Sequence, residues 1–200
     1  MTGALILVGA YLLGGVPFGY LLVRMKTGRD VRAMGSGNIG ATNVLRTTSR
    51  ALGVITLLLD IAKGYLAVWA AGRLSGGSPV WMSAAALAVM AGHAFPVFLR
   101  FRGGKAVASF VGAFLCLTPL ALAVVVGILV VLVAWKHYIS LGSMVAAAAL
   151  PLAAWLVSRA APPVVAAAAI GGAFIIWRHR ENVARLRAGT ENALAFGGRS

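Results

Sequence analysis

The chain has 200 residues, 60% of them hydrophobic and 11% charged, against roughly 45–50% and about 25% in a soluble globular domain. With a mean hydropathy of +0.92 it cannot cover its own surface in water, which excludes a soluble globular protein. The net charge is +14, but the basic residues stand in short loops between apolar runs, the signature of membrane topology and not of a nucleic-acid partner.

A spanning helix needs about 20 mostly apolar residues. The first such run covers 3–23; no Lys or Arg precedes it, so it lacks the basic start of a secretory signal and reads as a retained span. The second, 52–72, contains Asp60 and Lys63. Each charge costs about 2.5–3.5 kcal/mol at mid-span on insertion scales. Their spacing permits a helical pair, which is either structural glue or the floor of a site. Residues 80–99 make a third span, 141–157 and 163–177 two more. Between them, 106–135 is one apolar stretch holding Cys116, the single cysteine, and interrupted by Pro119. Proline removes a helix donor and clashes with the preceding turn. The stretch therefore reads as two short helices, 106–117 and 120–135, the first about 18 Å long. The expectation is an all-α polytopic transmembrane bundle of seven helices in a single domain, 1–200.

Positive charge orients the bundle. With the N-terminus outside, the cytoplasmic groups are Arg24, Lys26, Arg29, Arg32, Arg46 and Arg50, then Arg100, Arg102 and Lys105, then Lys136, then Arg178, Arg180, Arg185, Arg187 and Arg199. Outer loops hold only Arg73 and Arg159. The bias holds only if 106–135 enters the membrane and returns to the same side, and the C-terminus is then cytoplasmic.

Three polar islands interrupt the apolar sequence, all on that cytoplasmic side. The first is Gly35, Ser36, Gly37, Asn38, Ile39, Gly40, Ala41, Thr42 and Asn43, followed by Arg46. Its glycines let backbone N–H groups converge on an anion. Ser36, Thr42 and Asn43 add donors, Arg46 can grip a phosphate with two parallel hydrogen bonds, and a short helix should follow. It is not a Walker A loop, because no Gly-Lys-Ser/Thr follows. In the second island His93 precedes Pro96, which should break the third span, and Gly103-Gly104 should make a tight turn presenting Lys105, a mobile cation for phosphate. His93 reads equally as a satisfied core histidine. The third island runs from Arg178 to Glu191. There His179 and Asn182 share a helix face and Glu181 can pair with Arg185, four residues on. Ser140 and Ser143 open the sixth helix, as N-caps or as donors to a substrate. No cluster of metal ligands stands out.

Together the islands resemble the bacterial acyl-phosphate:glycerol-3-phosphate acyltransferases, small polytopic membrane enzymes. The matching stretches are GSGNIGATNVLR, GHAFPVFLRFRGGKAVAS and HRENVARLRAGTE, in family order. Ala106 departs from a common glycine and Ser109 from a common threonine. The His-x4-Asp pair of the soluble-loop acyltransferases is absent, since Phe98 stands five after His93.

The resemblance implies acyl transfer from acyl phosphate to the 1-hydroxyl of sn-glycerol 3-phosphate, giving lysophosphatidic acid at the cytoplasmic face of the cell (inner) membrane. No cofactor is implied. Membrane lipid and the enzyme that makes acyl phosphate are the implied partners. The donor is already an activated anhydride, so positioning and charge stabilisation remain as the work of the protein. On this reading the 35–43 loop holds the acyl-phosphate head and Lys105, carried by Gly103 and Gly104, bridges two phosphates. Arg46, Ser143, His179 and Asn182 hold glycerol 3-phosphate, and His93 orients the second island. The catalytic set is Lys105, His179, Asn182, Ser36 and Glu181, with His179, Glu181 or a substrate phosphate as proton acceptor. The competing class is a transporter or channel for a phosphorylated solute, against which the charges gather on one face.

Overall fold

A computed structural model describes residues 2–194; Arg199 of the basic tail lies outside them. Among the described residues the regular structure is helical, and the chain divides into two compact units, Met1–Leu117 and Thr118–Ser200.

In the first unit α1 (Thr2–Gly15) and α2 (Phe18–Thr27) form one span broken at Val16-Pro17. A 3-10 turn (Val31–Ala33) and the seven-residue α3 (Ala41–Thr47) carry the chain to α4 (Arg50–Leu74), then α5 (Pro79–Ala94), a second 3-10 turn (Val97–Leu99) and α6 (Val107–Leu117). Helix α5 stops where Pro96 was expected to break it. The packing is close because side chains are missing where backbones cross. A methyl group on Gly14 or Gly92 would collide with the Val89 or Tyr11 carbonyl between α1 and α5. One on Gly64 or Gly112 would strike the Ser109 or Ile61 carbonyl between α4 and α6. Small residues at crossings are how helices associate without a hydrophobic driving force in lipid.

In the second unit α8 (Ile139–Leu156) packs against both α7 (Pro119–Lys136) and α9 (Pro162–Arg178), and α10 (Arg180–Arg187) follows α9. Pro119 and Pro162 stand in first turns, where a missing N–H costs nothing. Helix α6, with 11 residues, is short as expected. Helix α7 is not: its 18 residues place it with α1–α2, α4, α5 with its 3-10 turn, and α8 among the helices long and apolar enough to cross a membrane. Pro119 thus starts a full-length helix, because a proline at the first position is tolerated and the eighteen residues after Thr118 continue without a breaker.

The outer surface is apolar: Leu5, Val131 and Trp155 are 68%, 66% and 62% exposed. The buried set includes Asp60, Lys63, His93, His179 and Asn182. Apolar side chains outside and polar ones within are what a lipid solvent demands. The chain is a multi-pass membrane protein.

Candidate active site

The first island is shaped by one side chain. Asn43, 3% exposed, accepts from the Ser36 N–H at Oδ1 (2.9 Å) and donates from Nδ2 to the carbonyls of Asn38 (2.8 Å) and Met34 (3.0 Å). Asn38 in turn accepts the Gly40 N–H at 2.8 Å, and the Gly37 N–H donates to Met34 O at 3.0 Å. Gly35 and Gly37 have φ of +55° and +70°, left-handed values that glycine adopts without strain. The expected anion nest is therefore smaller than the sequence suggested. The N–H groups of Ser36, Gly37 and Gly40 are spent inside the loop, and so is the Asn43 amide expected to meet a substrate. The loop presents outward the exposed Ser36, half-buried Ala41 and Thr42 at the start of α3, and exposed Arg46. Just upstream, Arg32 clamps Asp30 through Nε (3.0 Å) and Nη2 (2.7 Å). That hydrogen-bonded guanidinium holds the Asp30 carboxyl below its ordinary value.

The second island folds back on the helix it leaves. The Gly103 N–H donates to Ala94 O and the Gly104 N–H to His93 O, both at 3.1 Å. The tight turn expected at Gly103-Gly104 lies instead at Arg100 and Phe101, whose φ values are +53° and +62°. The two glycines are needed for space. A Cβ on Gly103 would overlap the His93 carbonyl and Pro96 Cδ, and one on Gly104 the His93 ring. Ala106, where the resembling family commonly has glycine, has φ +63° and is fully buried. Lys105 is half-buried, two residues before α6. The two islands are neighbours: a Cβ on Gly104 would lie 3.4 Å from Asn38 Oδ1.

Beneath the second island is a buried polar cluster. Lys63 Nζ sits 2.8 Å from Asp60 Oδ1, the pairing expected from their spacing, and also donates to Val16 O at 2.9 Å. His93 Nδ1 is 3.0 Å from Ser109 Oγ and 3.7 Å from Asp60 Oδ1.

The third island belongs to the second unit. His179 ends α9, and its Nδ1 lies 2.8 Å from Ile175 O. A carbonyl only accepts, so Nδ1 carries a proton, and in the neutral ring Nε2 is the acceptor. His179 precedes α10 and Asn182 lies within it; both are buried. Glu191, to which its place at the end of the third island assigned no role, is the hub. Its carboxylate accepts from Asn182 Nδ2 (2.6 Å), Ser140 Oγ (2.8 Å) and Arg185 Nε (2.8 Å). The expected Glu181–Arg185 pair is thus replaced by Glu191–Arg185, and Glu181 is exposed. Ser140 is not an N-cap, since Tyr138 occupies that position and Ser140 donates to Glu191; Ser143 is buried nearby on α8. Burial pushes the Glu191 carboxyl up, but the hydrogen bonds from Asn182, Ser140 and Arg185 outweigh it and hold the group below its ordinary value. A signal for this existed: Gly189 (φ +69°) closes α10 with Thr190 N–H donating to Arg185 O at 2.9 Å. That glycine cap turns the next residue back over the helix. Among the described residues no group of three His, Cys, Asp or Glu could hold a metal ion.

Apolar spans joined by basic, glycine-rich loops define a multi-pass membrane protein whose loops carry groups suited to phosphate. A profile of the family described as glycerol-3-phosphate acyltransferase matches residues 4–189. Proteins named glycerol-3-phosphate acyltransferase are 46% identical in Geobacter sulfurreducens (96% of this chain, 98% of that one) and 51% identical in Geobacter metallireducens (94% and 95%). Crystal structures of PlsY, an integral membrane glycerol 3-phosphate acyltransferase, are also similar. The glycerol 3-phosphate form is 36% identical with a TM-score of 0.91, and the lysophosphatidic acid form 34% with 0.88, each covering 98% of this chain and 96% of its own. The chain belongs to the glycerol-3-phosphate acyltransferase family. It is an acyltransferase, and the transporter reading falls away.

Proposed function

We propose that this enzyme moves the acyl group of acyl phosphate to the 1-hydroxyl of sn-glycerol 3-phosphate, releasing phosphate to water and leaving lysophosphatidic acid in the inner membrane. The observation that carries the reading is the adjacency of two loops rich in phosphate-binding chemistry, Ser36–Arg46 chemistry on one and Lys105 on the other. PlsY, with forms named for glycerol 3-phosphate and lysophosphatidic acid, supports the acceptor and the product. The basic excess at one end of the spans supports an active site facing the cytoplasm, with the N-terminus outside. The two compact units would act as one acyltransferase domain.

The chemistry needs little beyond placement. The hydroxyl oxygen attacks the acyl carbonyl carbon, a carbon–oxygen bond forms, and the bond to the phosphate oxygen breaks with its electron pair leaving on phosphate. Cations stabilise that departing charge. Lys105 would bridge the phosphates; Ser36, Ala41 and Thr42 would meet the acyl-phosphate head. The Asn43 amide and the Gly40 N–H bond within that loop and shape it. Arg46, Ser143, His179 and Asn182 would hold glycerol 3-phosphate, with His179 Nε2 as the protein group suited to accept the hydroxyl proton. Exposed Glu181 has no geometric support for that role. Acyl chains reach the loops from lipid, and the enzyme making acyl phosphate would be the functional partner. The test is donor choice in purified protein. Acyl phosphate alone should support lysophosphatidic acid formation from glycerol 3-phosphate; equal rates with acyl-CoA would refute the donor assignment.

A further inference from the structure

We propose that the buried Asp60–Lys63 pair is a positioning unit that holds the two phosphate-gripping loops at a fixed spacing. The proposal rests on the reading that the 35–43 and 103–105 loops grip substrate phosphates. Each residue reaches one of those loops through a short chain of contacts.

The first arm starts at the break in the first span. Lys63 Nζ donates to the Val16 carbonyl at 2.9 Å, a group that the Val16-Pro17 break leaves outside the regular helical ladder. Its ammonium also lies 5.6 Å from the Phe18 ring centroid, at the first residue of α2. Lys63 thereby fixes where α2 starts. One residue on, Gly19 lies so close to the Ile39 carbonyl that no Cβ would fit. Ile39 belongs to the first loop and is itself buried. A shift of α2 would therefore push the loop.

The second arm runs through His93. Asp60 Oδ1 is 2.8 Å from Lys63 Nζ and 3.7 Å from His93 Nδ1. Ser109 Oγ on α6 lies 3.0 Å from the same nitrogen. These contacts fix the ring against which Gly104 is packed without room for a methyl group. The His93 carbonyl takes the Gly104 N–H at 3.1 Å. Lys105 follows directly.

Stability does not account for the pair. Two charges 2–3% exposed on one spanning helix carry a desolvation penalty that apolar residues of equal volume would avoid, and such replacements are commonly neutral or stabilising. What an apolar pair could not do is hold the Val16 carbonyl and the His93 ring in register. A misplacement of about 1 Å at a reacting group costs about 10²-fold in rate, so register is where the pair acts.

Three variants in detergent separate positioning from simple structural support: Lys63→Met, Asp60→Asn, and the double. For each, Tm and the kcat/KM for glycerol 3-phosphate per folded molecule are measured. Each single change strands a buried partner and lowers Tm; the double change removes both charges and recovers Tm. Positioning predicts that kcat/KM in the double stays tenfold or more below wild type, near 10²-fold. A loss smaller than tenfold at recovered Tm overturns the proposal. If the double does not fold, the near-isosteric Asp60→Asn decides by the same tenfold criterion. Lys105→Ala is run alongside. Normal kcat/KM there removes the loop reading and the proposal with it. An inactive Lys105→Ala beside a fully active Asp60→Asn removes the positioning claim alone.

Discussion

Replacing Glu191 with alanine removes the acceptor shared by Ser140, Asn182 and Arg185. Ser140 and Asn182 are 8% and 6% exposed, so water does not replace the lost partner, and each stranded donor costs about 1–3 kcal/mol. The Arg185 side chain is 31% exposed and rehydrates, so its ion pair adds only about 0–1 kcal/mol. The sum is about 4 kcal/mol, which lowers Tm by about 8–16 °C in a chain of this size. Thermal unfolding in detergent, followed by tryptophan fluorescence, measures it. Glu191→Gln keeps a carbonyl oxygen for Ser140 and Asn182 and loses the Arg185 pair, so it should cost about 1 kcal/mol. An alanine variant that melts within about 2 °C of wild type would refute the hub.

The remaining expectations follow from local geometry. Glu191 titrates in the folded protein below its ordinary 4.5. Its stabilisation is therefore complete above that value and is lost as pH falls through the folded pKa. The acid limb of a Tm-against-pH curve should flatten in Glu191→Gln. Ala106→Gly relieves a left-handed φ costing about 1–2 kcal/mol and removes a buried methyl worth about 0.8 kcal/mol. The variant should be as stable as wild type or up to about 1 kcal/mol more so, and a chemical-denaturation midpoint shows the sign. His179→Ala should lower kcat about 10²-fold or more if Nε2 takes the hydroxyl proton; a change confined to KM assigns the ring to binding and leaves the proton to a phosphate oxygen.

The spans were legible because hydropathy needs no tertiary knowledge: the breaks at Pro96 and Pro119 and the short α6 stand close to where the residues put them. The residue types of the islands were legible for the same reason. Their wiring was not. Asn43 looks like a substrate donor until its amide is seen closing its own loop. Gly103 and Gly104 look like a turn until the positive φ values fall on Arg100 and Phe101. Lys63 was expected to find Asp60, three residues away, but its bond to Val16 crosses 47 residues. Glu191 was hidden because its partner Ser140 lies 51 residues upstream, although the Gly189 cap pointed back toward Arg185. For Lys63 and Glu191 what escaped is a contact between segments distant in sequence; for Asn43 and the two glycines it is the local path of the backbone, and periodicity and spacing encode neither.

The central claim is that Lys105, on a loop adjacent to the one that holds the acyl-phosphate head, bridges the phosphates of both substrates. It is tested most directly by the initial rate of lysophosphatidic acid formation from acyl phosphate and glycerol 3-phosphate, with purified wild-type enzyme and Lys105→Ala of equal Tm. The account predicts a loss of about 10²-fold or more in the variant, the scale of removing one charge-stabilising donor. An unchanged rate would contradict it.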